Sequence, residues 1–236
     1  MSRHTVIITG ATKGLGRELA LVFAASGSRV LGLFSSDTVA AAKLEIELAA
    51  KSDDSIVIRH NAASESADLW SRPEIQDAAN LVLINNANGP FTPQPFHLLR
   101  WHDFESGLNV GLRGAWQCSR AVLKPMLRAG HGTIVNVLTS AVHGLPPKGF
   151  AAYATAKHAQ RGLTLALAAE YKDKGLRVFS ASPGFMRTSL TSAWDPRLVD
   201  AITASGAVSD PADAAQKIRA LVDSPETVGR GEDYLV

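Results

Sequence analysis

Tyr153 and Lys157 stand four residues apart in "GFAAYATAKHA", and Ser140 precedes the tyrosine by thirteen residues. On a helix, positions i and i+4 share a face. A phenol and an ammonium would then lie side by side, with a hydroxyl within reach if the preceding segment ends beside that face. A free tyrosine titrates near ~10, too high for efficient proton exchange at neutral pH. A neighbouring cation favours the phenolate and should acidify it. The chemistry expected is proton transfer to or from a substrate oxygen, with Ser140 holding that oxygen by a hydrogen bond. Taken alone, YxxxK fits equally well a lysine stem lying along a half-buried tyrosine, with Ser140 capping a turn.

The elements that would position these groups are legible as an alternation. Short apolar runs "TVIITG" (5–10), "RVLGLF" (29–34), "SIVIRH" (55–60), "LVLINN" (81–86), "GTIVNVLTS" (132–140) and "LRVFSASPG" (176–184) are separated by helix-like stretches. Long helices are expected at about 101–129 and 151–173. Continuously apolar strands are expected where helices cover both faces of a parallel sheet. The pattern predicts an α/β fold: a single doubly wound Rossmann-type domain over 1–236, with about seven parallel strands. Two long loops, 86–101 and 185–209, follow strand C-termini, the edge where such sheets bind ligands.

The first strand runs into "TGATKGLG", with Gly10, Gly14 and Gly16 before the first helix. Glycines there permit a tight turn and close approach of a pyrophosphate to free helix N–H groups. The position at the first strand–helix junction points to a dinucleotide.

The spacing TGxxxGxG resembles the short-chain dehydrogenase/reductase family. "NNAN" (85–88) is similar to its NNAG motif, with Asn88 in place of glycine. Tyr153 and Lys157 fit its YxxxK signature, Ser140 its serine spacing, and "SPGFMRT" (182–188) its PG segment. The resemblance implies carbonyl–alcohol interconversion with a nicotinamide cofactor. Ser140, Tyr153 and Lys157 would be catalytic, and Lys157 would also bind the nicotinamide ribose. Gly10, Thr12, Lys13, Gly14, Leu15, Gly16, Ser35, Ser36, Asn61, Asn86, Ala87, Pro183, Gly184 and Thr188 would join Tyr153 and Lys157 around the cofactor. One position departs from the pattern. The family places a catalytic asparagine three residues before a glycine in the helix after the fourth strand. With Gly114 as that glycine, Gly111 occupies the register.

Cofactor choice turns on the end of the second strand. NAD-preferring relatives carry an acidic residue there, whereas this chain has Phe34, Ser35 and Ser36, with Asp37 beyond. Together with Lys13 this favours NADP(H) over NAD(H). The pocket wall is expected to include Asn88, Phe91, His143, Leu145, Phe150, Phe185, Met186, Leu190 and Trp194, a mostly apolar set. The closest flavour is that of the 3-oxoacyl-acyl-carrier-protein reductases, hence a ketoreductase of a carrier- or CoA-linked 3-oxoacyl thioester. Two alternatives stand beside it: a dehydrogenase of a free sugar, steroid or aromatic alcohol, and a nucleotide-binding member without turnover. The family also implies a homotetramer or homodimer. An acyl-carrier protein is a possible partner, with Lys172 and Lys174 as candidate docking cations.

Composition narrows the classes. A formal net charge of +2, with no basic run, argues against nucleic acid and anionic membrane as partners. The longest purely apolar runs fall far short of the ~20 residues of a membrane span. A lone cysteine, Cys118, and no recognisable signal peptide point to a cytoplasmic, reducing compartment. The seven histidines show no ligand-like spacing, so no metal is expected.

Overall fold

The computed structural model describes residues 3–64, 67–205, 208–224 and 229–236. Seven parallel strands form one sheet: β1 (Thr5–Thr9), β2 (Arg29–Phe34), β3 (Ile56–Arg59), β4 (Leu81–Asn85), β5 (Gly132–Val137), β6 (Leu176–Ser182) and β7 (Arg230–Leu235), in the order β3-β2-β1-β4-β5-β6-β7. Alternate residues of each strand enter opposite cores. Val6, Ile8, Val82, Ile84, Val135 and Phe179 face one side. Ile7, Leu81, Leu83, Ile134 and Val178 face the other. Both faces of the sheet are therefore dry, as the unbroken apolar runs require.

The first face is covered by α1 (Gly14–Ala25), α2 (Thr38–Ala49) and a helix near the C-terminus, through Leu19, Phe23, Leu44, Leu48, Ile218 and Val222. The other face carries two short helices, α3 (Ala67–Trp70) and α4 (Pro73–Gln76), and the long α6 (Gly114–Ala129) and α7 (Ala151–Tyr171). The last two contribute Cys118, Val122, Met126 and Ala168. Two further helices, α8 (Pro196–Ser205) and α9 (Pro211–Asp223), follow β6. Asp37 and Asp210 begin α2 and α9 by accepting N–H bonds from Ala40 (2.9 Å) and Ala212 (2.8 Å).

The single helix expected over 101–129 is interrupted. It starts as α5 (Trp101–Gly107), widens into a π-turn over Leu108–Arg113 and resumes as α6. Close packing accompanies the break. A Cβ on Gly107 would stand 3.1 Å from Ala156 Cβ of α7, and one on Gly114 would stand 3.1 Å from Ala62 Cβ. The chain is pinned at both ends of the widened turn, a device recurrent at functional sites. The loop expected over 185–209 also holds more structure than its composition suggests. It contains α8, and Phe185 bridges Val208 in parallel. Among the described residues no helix is long and apolar enough to cross a membrane.

Strand order sets the location of the site. β1 lies between β2 and β4, so the chain leaves β1 toward one side of the sheet and later returns to its other side. The loops after β1 and β4 diverge at that reversal and open a crevice at the strand C-termini.

Candidate functional site

A cavity of about 950 Å³ occupies this crevice. Its floor is the glycine turn. Gly10 and Gly14 have φ of +65° and +50°, the left-handed region that favours glycine. Gly16 is excluded from bearing a side chain by contact alone: a Cβ would lie 2.1 Å from Gly10 O and 2.6 Å from Asn86 Nδ2. α1 begins at Gly14 without a side-chain cap, so its first N–H groups are left for another acceptor. A bare, glycine-lined helix N-terminus at the bottom of a long cleft fits the pyrophosphate of a dinucleotide. The turn is stitched to the neighbouring strand end. Asn86 Nδ2 donates to Thr9 O (3.0 Å) and Gly10 O (3.2 Å). The Thr9 hydroxyl accepts from Asn86 N (3.0 Å) and Ala87 N (2.9 Å). Thr9 was invisible as a site residue in the sequence, because its role depends on the β1–β4 pairing.

From the turn the cavity passes Thr12, Lys13, Leu15, Ser35 and Ser36 at one end, and Ala87, Pro183, Gly184 and Thr188 further along. Lys13 is ion-paired with Asp37, whose carboxylate also caps α2. These contacts hold the Asp37 carboxyl below its ordinary value, the Ala40 N–H first and Lys13 next. Asn61 is placed differently from the other cofactor candidates. Its Oδ1 accepts from Ala63 N (3.0 Å), closing a turn, and it is not among the residues lining the cavity.

At the other end stand Tyr153 and Lys157, on one face of α7 and both lining the cavity. Lys157 is buried, and its Nζ donates to Val137 O (2.7 Å) and Gln160 Oε1 (3.1 Å). Gln160 continues into a buried polar chain through Thr164, Asn136 and Asn85 to Ser119. Desolvation pushes the lysine down to about 7. The sequence-based expectation of a phenol acidified by this ammonium is corrected here. Burial raises the Tyr153 phenol, hydrogen bonds to the side chains of Thr139 and Asn88 pull it partly back, and Lys157 is not among the causes. The amine lies 6.0 Å from the tyrosine ring centre and burial shifts it toward its neutral form, so it has less charge to lend.

Ser140 opens a 3₁₀ turn, Ser140–His143, three residues past the end of β5. Its N–H donates to Pro183 O (2.8 Å), and it lines the cavity beside Tyr153. The hydroxyl that pulls the phenol's ionisation downward belongs to Thr139, the residue before it. That one-residue distinction is set by the turn and has no signal in the sequence.

All nine pocket-wall candidates line the cavity. Four aromatic rings form a box around the phenol. Phe91 stacks on Tyr153 with centroids 4.9 Å apart and meets Phe150 (5.0 Å) and Trp194 (5.4 Å) edge-on. Phe185 closes on Trp194 at 6.1 Å. Trp194 Nε1 donates to Phe91 O (3.1 Å), tying the two long loops together. Leu145 stands fully in solvent at the rim. His143 has its Nε2 3.0 Å from Oδ2 of Asp233, a nearly buried carboxylate that also accepts from Ser182 Oγ (2.8 Å). Only the β6–β7 pairing brings Asp233 to this place.

A dinucleotide cleft ending at a tyrosine–lysine pair is the arrangement the motifs imply. Residues 4–198 match the family model described as short chain dehydrogenase. The chain belongs to the short-chain dehydrogenase family. It is thus an oxidoreductase by family, of a kind that binds a nicotinamide cofactor. A 3-oxoacyl-[acyl-carrier-protein] reductase of Synechocystis is 27% identical over 95% of this chain and 91% of its own. The crystal structure of a 3-ketoacyl-(acyl-carrier-protein) reductase from Brucella melitensis, complexed with NADH, superposes with a TM-score of 0.85 at 24% identity, covering 100% of this chain and 96% of that one. A closed form of serine dehydrogenase complexed with NADP+ gives 0.84 at 23% identity, over 98% and 94% of the two chains. The two structures share the fold.

Proposed function

We propose that this short-chain dehydrogenase is an NADPH-preferring ketoreductase of a 3-oxoacyl thioester, carrier- or CoA-linked, or a similarly apolar ketone. The observation that carries the reading is a neutral phenol set in an aromatic box at the far end of the dinucleotide cleft. When bound, the nicotinamide supplies hydride to the carbonyl carbon. Tyr153 gives its phenolic proton to the carbonyl oxygen, so that the ketone becomes a secondary alcohol. Ser140 lines the same cavity, and its hydroxyl would hold that oxygen. Lys157, fixed by Val137 O and Gln160, is the group through which a proton returns to the phenolate. Phe91, Phe150, Phe185 and Trp194 select an apolar substrate body and exclude water from the transfer.

Support for NADPH comes from the adenosine end. No carboxylate ends β2, and Asp37 is already committed to Lys13 and the α2 cap, which leaves Ser35 and Ser36 facing the cavity. Support for a thioester comes from the Synechocystis relative's name together with the apolar wall. Self-association as a homodimer or homotetramer belongs to the same reading. Trp101, Trp116 and Leu165 lie exposed on α5, α6 and α7, where a second copy would cover them. The buried lone Cys118 suits a reducing cytoplasm.

The test is turnover of carrier-bound, CoA-bound and free ketones with each nicotinamide. NADPH with a 3-oxoacyl thioester is expected to give the highest kcat/KM. Tyr153→Phe should keep cofactor affinity and lose roughly 10²–10⁴-fold in kcat. Cofactor binding without reduction of any ketone would leave a nucleotide-binding protein and end the reading.

A further inference from the structure

Lys157 has two hydrogen-bond acceptors in the protein, and neither is Tyr153. Its Nζ donates to Val137 O at the end of β5 (2.7 Å) and to Gln160 Oε1 (3.1 Å), one turn further along α7. Tyr153 stands one turn back on the same helix, its ring centre 6.0 Å from the amine. Gln160 is as deeply buried as the lysine. An amide withdrawn from water costs free energy unless its polar atoms are used, and here the oxygen serves a single donor, the lysine amine. Both acceptors are neutral, and no carboxylate pairs with Lys157 among the described residues, so Tyr153 is the titratable group that faces it.

The count of positions on the amine gives this bond a consequence. A tetrahedral nitrogen bonded to Cε has three further positions. Val137 O and Gln160 Oε1 engage two of them, in the neutral and the charged form alike. The third carries the exchangeable proton of the ammonium or the lone pair of the free amine. Lys157 lines the cavity, so the third position is the one left for a group in that space.

We propose that Gln160 is a positioning residue for the reaction: it holds the Lys157 amine one turn beyond Tyr153, directs its single free position into the cavity and keeps amine and phenol from pairing directly. This rests on Lys157 returning the proton to the tyrosine, as in the reading above. Without the amide oxygen the amine keeps one bond, to Val137 O, and is free to swing about its last side-chain torsion toward the phenol.

The lysine's own ionisation reports on the bond without substrate or cofactor. In protein carrying isotope-labelled lysine, the Lys157 Cε resonance is followed against pH and assigned by its absence in Lys157→Met. Gln160→Glu keeps an acceptor oxygen and adds a charge beside Nζ, so the transition should move upward by about one pH unit or more. Gln160→Met fills similar volume and removes the acceptor, so the charged amine loses a bond and the transition should move downward. The alkaline limb of kcat for ketone reduction should follow in the same order. At neutral pH, Gln160→Met should lose about tenfold in kcat with the ketone KM nearly unchanged, and Gln160→Glu should recover most of that loss. A purely structural amide would lower stability in both variants and leave the resonance transition and the pH limb in place.

A Lys157 transition that does not move in Gln160→Glu overturns the proposal. So does a Gln160→Met protein with the parental kcat and pH profile. Should Gln160→Glu fail to fold, Gln160→Met tests the same bond, and an unmoved transition there is equally fatal. Absence of ketone turnover in the parent would count against the ketoreductase reading, whereas an unmoved lysine resonance would count against Gln160.

Discussion

Replacing Lys157 by methionine isolates the energetic cost of the buried amine. The lysine is 2% exposed, and its folded value lies at about 7 against an ordinary 10.5. At about 1.4 kcal/mol per unit, holding it charged opposes folding by about 5 kcal/mol below pH 7. Above that, the folded protein binds fewer protons than the unfolded chain until about pH 10.5, so stability rises with pH through this window. From about pH 6 to pH 9 the lysine alone should add nearly 3 kcal/mol to the wild-type unfolding free energy. Methionine fills similar volume and has nothing to titrate, but it leaves Val137 O and Gln160 Oε1 short of a donor, a cost of roughly 1–3 kcal/mol each that does not vary with pH. Urea unfolding of both cofactor-free proteins at several pH values gives the difference. The variant should gain ground on the wild type as pH falls, tracing a curve that bends near pH 7. A difference that stays flat from about pH 6 to pH 9 would refute the depressed lysine, because it means that the amine keeps its proton in both states across that range.

Other expectations are narrower. Gly16→Ala puts a Cβ 2.1 Å from Gly10 O, a clash with backbone that no rotamer relieves. It should cost at least ~2 kcal/mol in unfolding free energy and abolish nucleotide binding by calorimetry. Thr139→Val and Ser140→Ala should separate two hydroxyl roles. Thr139→Val is expected to raise the pH at which the phenol ionises, whereas Ser140→Ala should slow ketone reduction without moving that ionisation. Equal effects of the two on the phenol titration would contradict the assignment.

Much of the scaffold was legible because two physical constraints write themselves into residue types. A strand with both faces covered is apolar through its centre, and Val6–Ile8 of β1, Val30–Leu33 of β2, Leu81–Ile84 of β4 and Ile134–Val135 of β5 read that way. A turn in which a Cβ would meet a carbonyl at 2.1 Å admits only glycine, and Gly16 announces that contact. Tyr153 and Lys157 share a face by helix geometry alone. The missed features depend on packing between distant segments. The widened turn after α5 is accompanied by Gly107 lying against Ala156 of α7, so no local pattern marks it. Asp233 reaches His143 only because β7 pairs with β6. The charge state of Lys157 was misjudged because burial is a property of the finished fold, and burial dominates that group.

The corrected ionisation bears on the direction of the reaction. An acidified tyrosine would rest as phenolate beside an ammonium, two charges in a cavity walled by aromatic rings. Such a pair loses its hydration on burial, and its mutual attraction repays that loss only with close contact and further hydrogen bonds. Here the amine is 6.0 Å from the ring centre, with other partners, and each group shifts toward its neutral form instead. The resting site therefore holds a phenol that still carries its proton, which is the state carbonyl reduction consumes. The Thr139 and Asn88 side chains pull the phenol's ionisation downward against the effect of burial, without a permanent charge in the cavity. Alcohol oxidation from the same resting state must first strip the phenol. On the proposed ketoreductase reading, a low-dielectric pocket that keeps the phenol protonated suits the proton-donating role assigned to Tyr153.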